Sequence, residues 1–407
     1  MKNKSTKVSF IGLGYIGLPT AVVAASYGMR VYGIDINNQL VESINSNNFQ
    51  TVEPGLKEEL AKVIKLGNLK AFTEIQPADV YIVVVPTPFR KDYTADLSYI
   101  DAAINSLIPN LKPEDMVIIE STCPVGTTEV VAKNIFAQRP ELKNQLSIAY
   151  CPERVLPGNV LHELIHNDRV IGGINSKSTE QVYEFYKKFV KGELYKTDSK
   201  TAEMCKLTEN ASRDVQIAFA NELSIICNQA GIDTYKLIDL ANKHPRVNIL
   251  KPGAGVGGHC IAVDPYFIIT AFPDESKVMG MAREINDYKT QWCIEQILIQ
   301  TALFKKNHGR KPALAIMGLA FKPNIDDLRE SPALKIAESL YNHSSCSKTL
   351  VVEPNINLIS QFELTSCDDA VKFADIVVFS VAHRDFHDLK ISSEKIVLDY
   401  CGVTKTQ

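Results

Sequence analysis

Short apolar runs alternate with amphipathic stretches through the first third of the chain. Lys7-Val8-Ser9-Phe10-Ile11 is followed by a glycine-bearing turn, an Ala/Val-rich stretch and a second run, Val31-Tyr32-Gly33-Ile34-Asp35. The order strand, turn, helix, strand predicts a βαβ unit. Further runs with the length of buried strands occur at Asp79-Val80-Tyr81-Ile82-Val83-Val84-Val85, at Met116-Val117-Ile118-Ile119-Glu120 and at Ser147-Ile148-Ala149-Tyr150, with helical patterns between them. Apolar residues without alternation predict a parallel sheet covered by helices on both faces.

From about Asp198 to Gly231 the period changes to that of one long helix of about 45 Å. Asp198 or Ser199 can cap it and Gly231 can stop it. Helical patterning continues to about residue 308, broken by a glycine-rich segment around Cys260. A second α/β pattern begins at Pro312-Ala313-Leu314-Ala315-Ile316-Met317-Gly318 and includes strands near Thr349–Glu353, Ala374–Phe379 and Lys395–Asp399. The two ends are alike: ADVYIVVVPTP near residue 79 pairs with ADIVVFSVAH near residue 374, and KVSFIGLGYIG with PALAIMGLAFK. The second copy lacks the full glycine set, which predicts a Rossmann-like lobe that binds something other than a dinucleotide. The expected fold class is α/β, with two Rossmann-like doubly wound parallel-sheet domains joined by a central helical domain with a long connecting helix. The expected boundaries are 1–197, 198–308 and 309–407.

A chain of 407 residues is too long for one ordinary core, which fits this division. Apolar and charged fractions of 45% and 22% are those of a globular protein, and a net charge of -3 gives no basic surface for nucleic acid. The nine cysteines are scattered without metal-ligand spacing, so no metal is expected, and reduced thiols in a cytoplasm fit better than a disulfide framework. Lys2, Lys4 and Lys7 before an apolar stretch imitate a secretory signal. The fingerprint glycines inside that stretch and the absence of a small-residue cleavage site argue against one. No apolar run approaches the roughly 18 residues of a membrane span.

Gly12-x-Gly14-x-x-Gly17 places glycines for a tight turn, for close approach of backbone to a pyrophosphate and for helix packing. Asp35, at the end of the second strand, can bind ribose hydroxyls and repel a 2′-phosphate, which favours NAD over NADP. Pro86-Thr87 and Ser121-Thr122 follow strands at the carboxyl edge, where open parallel sheets bind ligands; either can equally be an ordinary turn. Glu153, in Cys151-Pro152-Glu153-Arg154-Val155-Leu156-Pro157-Gly158, sits on the same rim. On the long helix Lys206, Asn210 and Arg213 or Asp214 share one face, bordered by apolar Ala202, Leu207, Ala211, Val215, Ala218 and Leu223. There Lys206 could stabilise an oxyanion and Asn210 hold a water, although a solvated helix face gives the same stripe. Lys322 and Arg329 can pair with phosphates, or with the acids beside them. His162 and His166 lack a third ligand and read as surface or capping groups.

Cys260 lies in Gly255-Val256-Gly257-Gly258-His259-Cys260-Ile261-Ala262-Val263-Asp264-Pro265. An alcohol can pass hydride to NAD with only a base to help, whereas an aldehyde must first become a tetrahedral adduct, which a thiol can form. The thiolate is a minority form at neutral pH, so a cation such as Lys206 would raise its population. Asp264 could handle protons. The alternative is a small buried hydrophobe.

The fingerprint together with VPTPF, STCPVG, CPERVLPG, AEMCKLTEN, HPRVNIL, GVGGHCIAVDP and GLAFKPNIDDLRESP resembles the UDP-glucose/GDP-mannose dehydrogenase family, in collinear order from about residue 7 to 400. The resemblance implies two successive oxidations of a UDP-sugar at C6 with NAD as cofactor, in a homodimer. It implies Cys260 as nucleophile, Lys206 as oxyanion stabiliser, Asp264, Asn210 and Thr122 as organisers of water and protons, and Glu153 in thioester hydrolysis. It places Gly12, Gly14, Tyr15, Ile16, Gly17, Asp35, Pro86, Thr87, Thr122 and Arg329 against the cofactor. It places Glu153, Arg154, Lys206, Asn210, Gly257, Gly258 and Lys322 against the substrate, together with Arg246, which would reach the neighbouring subunit's substrate. Glucose-oxidising members have Lys before the aspartate of the cysteine loop, whereas this chain has Val263. That difference and the CPERVLPG form resemble the N-acetylhexosamine branch, mannosamine in particular. The same chemistry on UDP-N-acetylglucosamine or UDP-glucose, or a non-catalytic NAD-binding protein of the same fold, are the competing expectations.

Overall fold

The computed structural model describes residues 5–51, 53–155 and 158–404. Leu156 and Pro157 of the proline-bounded loop, and Lys2 and Lys4 of the imitation signal, lie outside the described residues. The chain divides into two compact units, Met1–Thr208 and Glu209–Gln407.

In the first unit, β1 (Lys7–Ile11), β2 (Arg30–Ile34), β3 (Leu69–Phe72), β4 (Val80–Val83), β5 (Met116–Ile119), β6 (Ser147–Tyr150), β7 (Arg169–Gly173) and β8 (Leu194–Asp198) form one sheet. Its order is β3-β2-β1-β4-β5-β6-β7-β8, so the winding reverses between β1 and β4 and opens a ligand crevice at their carboxyl ends. The central strands β4, β5 and β6 are largely apolar because each of their faces is covered. Val80 and Ile82 pack with Val8, Phe10 and Ala21 of the helix Gly17–Ser26, whereas Tyr81 and Val83 pack on the other side with Ile100, Val117 and Ile119.

The sheet departs from a wholly parallel pattern at one place, where β7 pairs antiparallel to β6. Gly172 and Gly173 end β7, and a Cβ on Gly172 would lie 2.2 Å from Asp198 O. Glycine thus lets the chain leaving β8 pass closely over the end of β7.

The second unit contains β9 (Ala313–Met317), β10 (Lys348–Val352), β11 (Ile376–Phe379) and β12 (Ile396–Asp399), all parallel in the order β10-β9-β11-β12. Two long helices accompany it. The first, Ser199–Ala230, begins in the first unit and continues into the second; the other runs Lys277–His308 and stops at Gly309 in the left-handed conformation.

The likeness of the two ends extends to individual hydrogen bonds. Gly12 N donates to Ile34 O at 2.8 Å, and Gly318 N to Val352 O at 2.8 Å. Lys7 N donates to Asp79 Oδ2 at 2.9 Å, and Ala313 N to Asp375 Oδ2 at 2.8 Å. Leu13 N donates to Asp35 Oδ2 at 2.9 Å, and Leu319 N to Glu353 Oε2 at 2.8 Å. Glu353 differs from Asp35 in being sealed: it is 4% exposed and also accepts from Ala320 N, Asn355 N and the His383 ring. Burial alone would push its carboxyl up, but His383 and the N–H groups of Leu319 and Asn355 outweigh burial and hold it at about 2. The acidic residue that stays partly exposed at the end of β2 is an internal anchor at the end of β10.

Lys289 is 1% exposed, donates to Ser224 Oγ at 2.8 Å and lies 3.9 Å from the Trp292 ring centroid. Burial pushes its ammonium down to about 8 from 10.5. The folded chain therefore releases this proton before the unfolded one, and stability rises with pH between those two values. Lys289→Met keeps the stem and removes the charge. It is expected to raise the unfolding free energy at pH 7 by about 1–3 kcal/mol and to flatten that rise, as measured by urea titrations at pH 7 and pH 10.

Candidate active site

The glycines of the first turn have separate jobs. Gly12 has φ +98°, and a Cβ there would lie 2.2 Å from Val84 O; one on Gly17 would lie 1.9 Å from Gly12 O. A Cβ on Gly14 would meet no atom within 4 Å. The outer two glycines close the turn, and the middle one faces open space at the N-terminus of the helix Gly17–Ser26, where a pyrophosphate can approach backbone N–H groups. Asp35 accepts from Leu13 N and, through Oδ1, from Asn37 N at 2.9 Å, which holds its carboxylate beside the turn. These residues fit NAD.

The rim beyond is tied together by buried oxygens. The Ser121 hydroxyl accepts from Val85 N at 2.9 Å and donates to Val85 O at 2.8 Å, fixing the turn with Pro86 and Thr87 next to Thr122. Glu203, 0% exposed, accepts from Gly126 N at 2.6 Å and from Thr128 N and Oγ1 at 2.7 and 2.6 Å. It thereby caps the helix Thr127–Gln138, whose N-terminus favours a carboxylate. Glu153 accepts from Val155 N. Burial pushes its carboxyl up, and the Lys206 cation opposes that shift. Behind it Glu120 pairs with Arg169 at 3.3 Å and accepts from the Tyr186 hydroxyl at 2.6 Å. Arg154 donates to Asp168 O at 3.3 Å. Glu53 joins two motifs: it accepts from the Tyr15 hydroxyl at 3.3 Å, from Gly158 N at 3.0 Å and from Val160 N at 2.6 Å.

In the second unit the cysteine loop lies against the segment that carries Arg329. Gly258 N donates to Arg329 O at 2.9 Å. A Cβ on Gly257 would lie 2.7 Å from Glu330 O and from Phe321 Cβ, and Gly258 has φ +87° with the Phe321 ring in its path. Cys260 is half-buried, and its carbonyl accepts from Asp264 N at 2.8 Å. Asp264 opens the helix Asp264–Ala271, and its buried carboxylate accepts from Asn210 Nδ2 at 2.6 Å. A thiol and a buried carboxylate thus share one turn. The Arg329 side chain, 60% exposed, is paired with Asp327 at 2.6 Å and lies within electrostatic range of Cys260.

The first unit gathers Gly12, Gly14, Tyr15, Ile16, Gly17, Asp35, Pro86, Thr87, Thr122 and Glu153 just beyond strand carboxyl ends, with Lys206 close enough to Glu153 to oppose the upward shift of its carboxyl. The second gathers Gly257, Gly258, Cys260, Asn210, Asp264 and Arg329. Lys322 is exposed, and Arg246 is exposed on a turn closed by Asn242, which bonds both N and O of Ile249.

Of Arg213 and Asp214, the two alternatives at the end of the polar stripe, only Arg213 is exposed. Asp214 faces inward and pairs with Arg283 at 2.7 Å. His162 and His166 are exposed, with stacked rings. Glu53 and Glu203 escape sequence reasoning; the only available signal is that Glu203 lies three residues before Lys206 on the same helix.

Three models of the UDP-glucose/GDP-mannose dehydrogenase family match the chain: the NAD binding domain at residues 6–190, the central domain at 200–288 and the UDP binding domain at 315–406. The chain is 48% identical over 414 residues to UDP-N-acetyl-D-mannosamine dehydrogenase of Escherichia coli, covering 97% of this chain and 98% of that protein. It is 46% identical over 410 residues to NDP-N-acetyl-D-galactosaminuronic acid dehydrogenase of Ralstonia nicotianae, covering 97% and 96%. The solved structure of UDP-D-ManNAc dehydrogenase from Pyrococcus horikoshii matches with a TM-score of 0.88 at 35% identity, over 98% of this chain and 96% of that one.

Proposed function

Because this chain belongs to the UDP-glucose/GDP-mannose dehydrogenase family, we propose that it oxidises UDP-N-acetyl-D-mannosamine at C6 to UDP-N-acetyl-D-mannosaminuronate, a sugar for bacterial surface polysaccharide. Two NAD and one water are consumed per sugar. The observation that carries the reading is the single turn holding Cys260 and the buried Asp264, with Asn210 on the carboxylate.

Bound NAD supplies the hydride acceptor for both oxidations. The Cys260 sulfur adds to the C6 aldehyde, the carbonyl electron pair moves to oxygen, and Lys206 holds the resulting oxyanion as a thiohemiacetal forms. The second oxidation leaves a thioester on Cys260. Asp264, Asn210 and Thr122 orient the water that attacks it, and Glu153 takes the water's proton, so carboxylate and thiol are released. Arg154, Gly257, Gly258 and Lys322 bind the UDP-sugar, Arg329 binds a phosphate once its tie to Asp327 opens, and Arg246 reaches the substrate of a second subunit.

The choice of sugar is supported by Val263 where glucose-oxidising enzymes carry lysine, and by the name of the Escherichia coli relative. The protein acts in the cytoplasm as a homodimer with the domains 1–197, 198–308 and 309–407. Exposed Phe219 and Ile226 on the first long helix and Leu240 nearby support the dimer. Among the described residues no helix is long and apolar enough to cross a membrane.

The test is NADH release with UDP-N-acetylmannosamine, UDP-N-acetylglucosamine, UDP-N-acetylgalactosamine and UDP-glucose, with mass in solution determined by light scattering. Two NADH per UDP-N-acetylmannosamine, no released aldehyde and twice the chain mass are expected. A ratio of one removes the thioester route, higher efficiency with another sugar removes the substrate, NAD binding without turnover removes the enzyme, and a single-chain mass removes the dimer.

A further inference from the structure

The segment from Pro252 to Val263 has neither helix nor strand, yet it must hold a nucleophile in one place. Its backbone polar groups need partners from elsewhere. At the entrance they come from the two long helices. Gly253 N donates to Asn221 Oδ1 at 2.9 Å, and the Thr290 hydroxyl donates to Ala254 O at 2.9 Å. Gly255 follows with φ +141°, and a Cβ there would lie 2.5 Å from Thr290 Oγ1 and 3.1 Å from Asn286 O, so the loop is laid directly on the second long helix.

The amide that receives Gly253 has its orientation fixed from a distance. Asn221 and Asn286 are both 0% exposed. Asn221 Nδ2 donates to Asn286 Oδ1 at 2.9 Å, Asn286 Nδ2 donates to Asp214 Oδ1 at 2.8 Å, and Arg283 Nη1 donates to that same Asp214 oxygen at 2.7 Å. An oxygen that already receives a guanidinium is an acceptor, so Asn286 must turn its NH2 towards it. Its carbonyl then faces Asn221, and the Asn221 carbonyl is left for Gly253. The polarity of the chain Arg283, Asp214, Asn286, Asn221 therefore runs one way, ending on the loop. Stability alone does not call for it, since apolar residues at buried ionic positions commonly pack as well or better.

We propose that Asn221 is a positioning residue for Cys260, oriented through Asn286 by the Asp214–Arg283 pair and assisted by Thr290. The proposal rests on the reading of Cys260 as nucleophile. A loop displaced at its entrance still binds NAD and sugar but presents the sulfur poorly, so the loss falls on turnover.

The experiment compares Asn221→Leu, Thr290→Val and Cys260→Ser in the full-length enzyme with NAD and UDP-N-acetylmannosamine, with kcat and both KM values measured for each. Asn221→Leu is expected to lower kcat ten- to a hundredfold with both KM values within threefold of wild type. Thr290→Val, which removes only the hydroxyl, is expected to lower kcat three- to tenfold with the same KM pattern. Cys260→Ser is expected to be inactive. Wild-type kcat in Asn221→Leu, or a loss carried by a tenfold rise in KM, overturns the positioning role. Should Asn221→Leu fail to fold, Thr290→Val decides by the same criterion. Full activity in Cys260→Ser instead overturns the nucleophile reading, whatever the other two variants do.

Discussion

Cys260→Ser is expected to bind NAD as the wild type does and to lose steady-state turnover by about a thousandfold or more, because in the proposed mechanism the second oxidation depends on a sulfur adduct. The serine hydroxyl is close in shape and can occupy the same position beside Asp264, so the turn tied by Asp264 N to the residue 260 carbonyl stays closed. What is lost is nucleophilicity. Any oxygen ester that does form hydrolyses more slowly than a thioester, so a sugar adduct of residue 260 is expected by mass spectrometry of the stalled protein. Cys260→Ala gives no such adduct. If both variants make uronic acid at the wild-type rate, the thiol is only a packing residue.

Gly17→Ala is expected to have the largest effect in the first unit. The added Cβ would lie 1.9 Å from Gly12 O and 3.5 Å from Val84 Cβ. The carbonyl has little room to yield, since Gly12 is itself at φ +98° with Val84 O close behind it. Relief requires the turn to open, which is expected to cost about 2–4 kcal/mol in urea unfolding and to weaken NAD binding by about a hundredfold or more. Gly14→Ala is the informative contrast. Its Cβ meets nothing in the protein, so stability should hold while NAD binding, measured by calorimetry, weakens. Equal NAD affinity in Gly14→Ala and wild type would show that the backbone at residue 14 does not approach the cofactor.

The parts of the fold most legible in the sequence are those buried on both faces or sharply punctuated. The runs that become β1, β4, β5, β6 and β9 are apolar without alternation. The long helix expected over 198–231 is Ser199–Ala230, and the helical region ends at His308 as its pattern indicates. The edge strands β3 and β8, and β7 beside one of them, are different. β8 is largely exposed, β3 alternates, and β7 carries Arg169 and two glycines, so none has the continuous apolar signal of a central strand.

The candidate site shows the same division. Short-range relations such as Gly12 to Gly17, or Cys260 to Asp264, are fixed by a turn and can be read from spacing. Relations between distant segments cannot, and the packing of Gly257 and Gly258 on residues 321–330 has no local signature. Buried polar residues are the hardest. Glu53, Glu203, Asn221 and Asn286 look like solvated positions because the partners that make their burial tolerable lie far away in the chain.

The two hydrogen bonds on Asp35 bear on any attempt to alter cofactor preference. The carboxylate proposed to discriminate against a 2′-phosphate also receives Leu13 N and Asn37 N, so on that proposal selectivity and the shape of the glycine turn are vested in the same pair of oxygens. Replacing Asp35 with an apolar residue to admit NADP would unhook the turn while it removes the repulsion. A workable cofactor swap has to preserve an acceptor for Leu13 N, as a serine or asparagine side chain can, and supply the cation for the phosphate from another position.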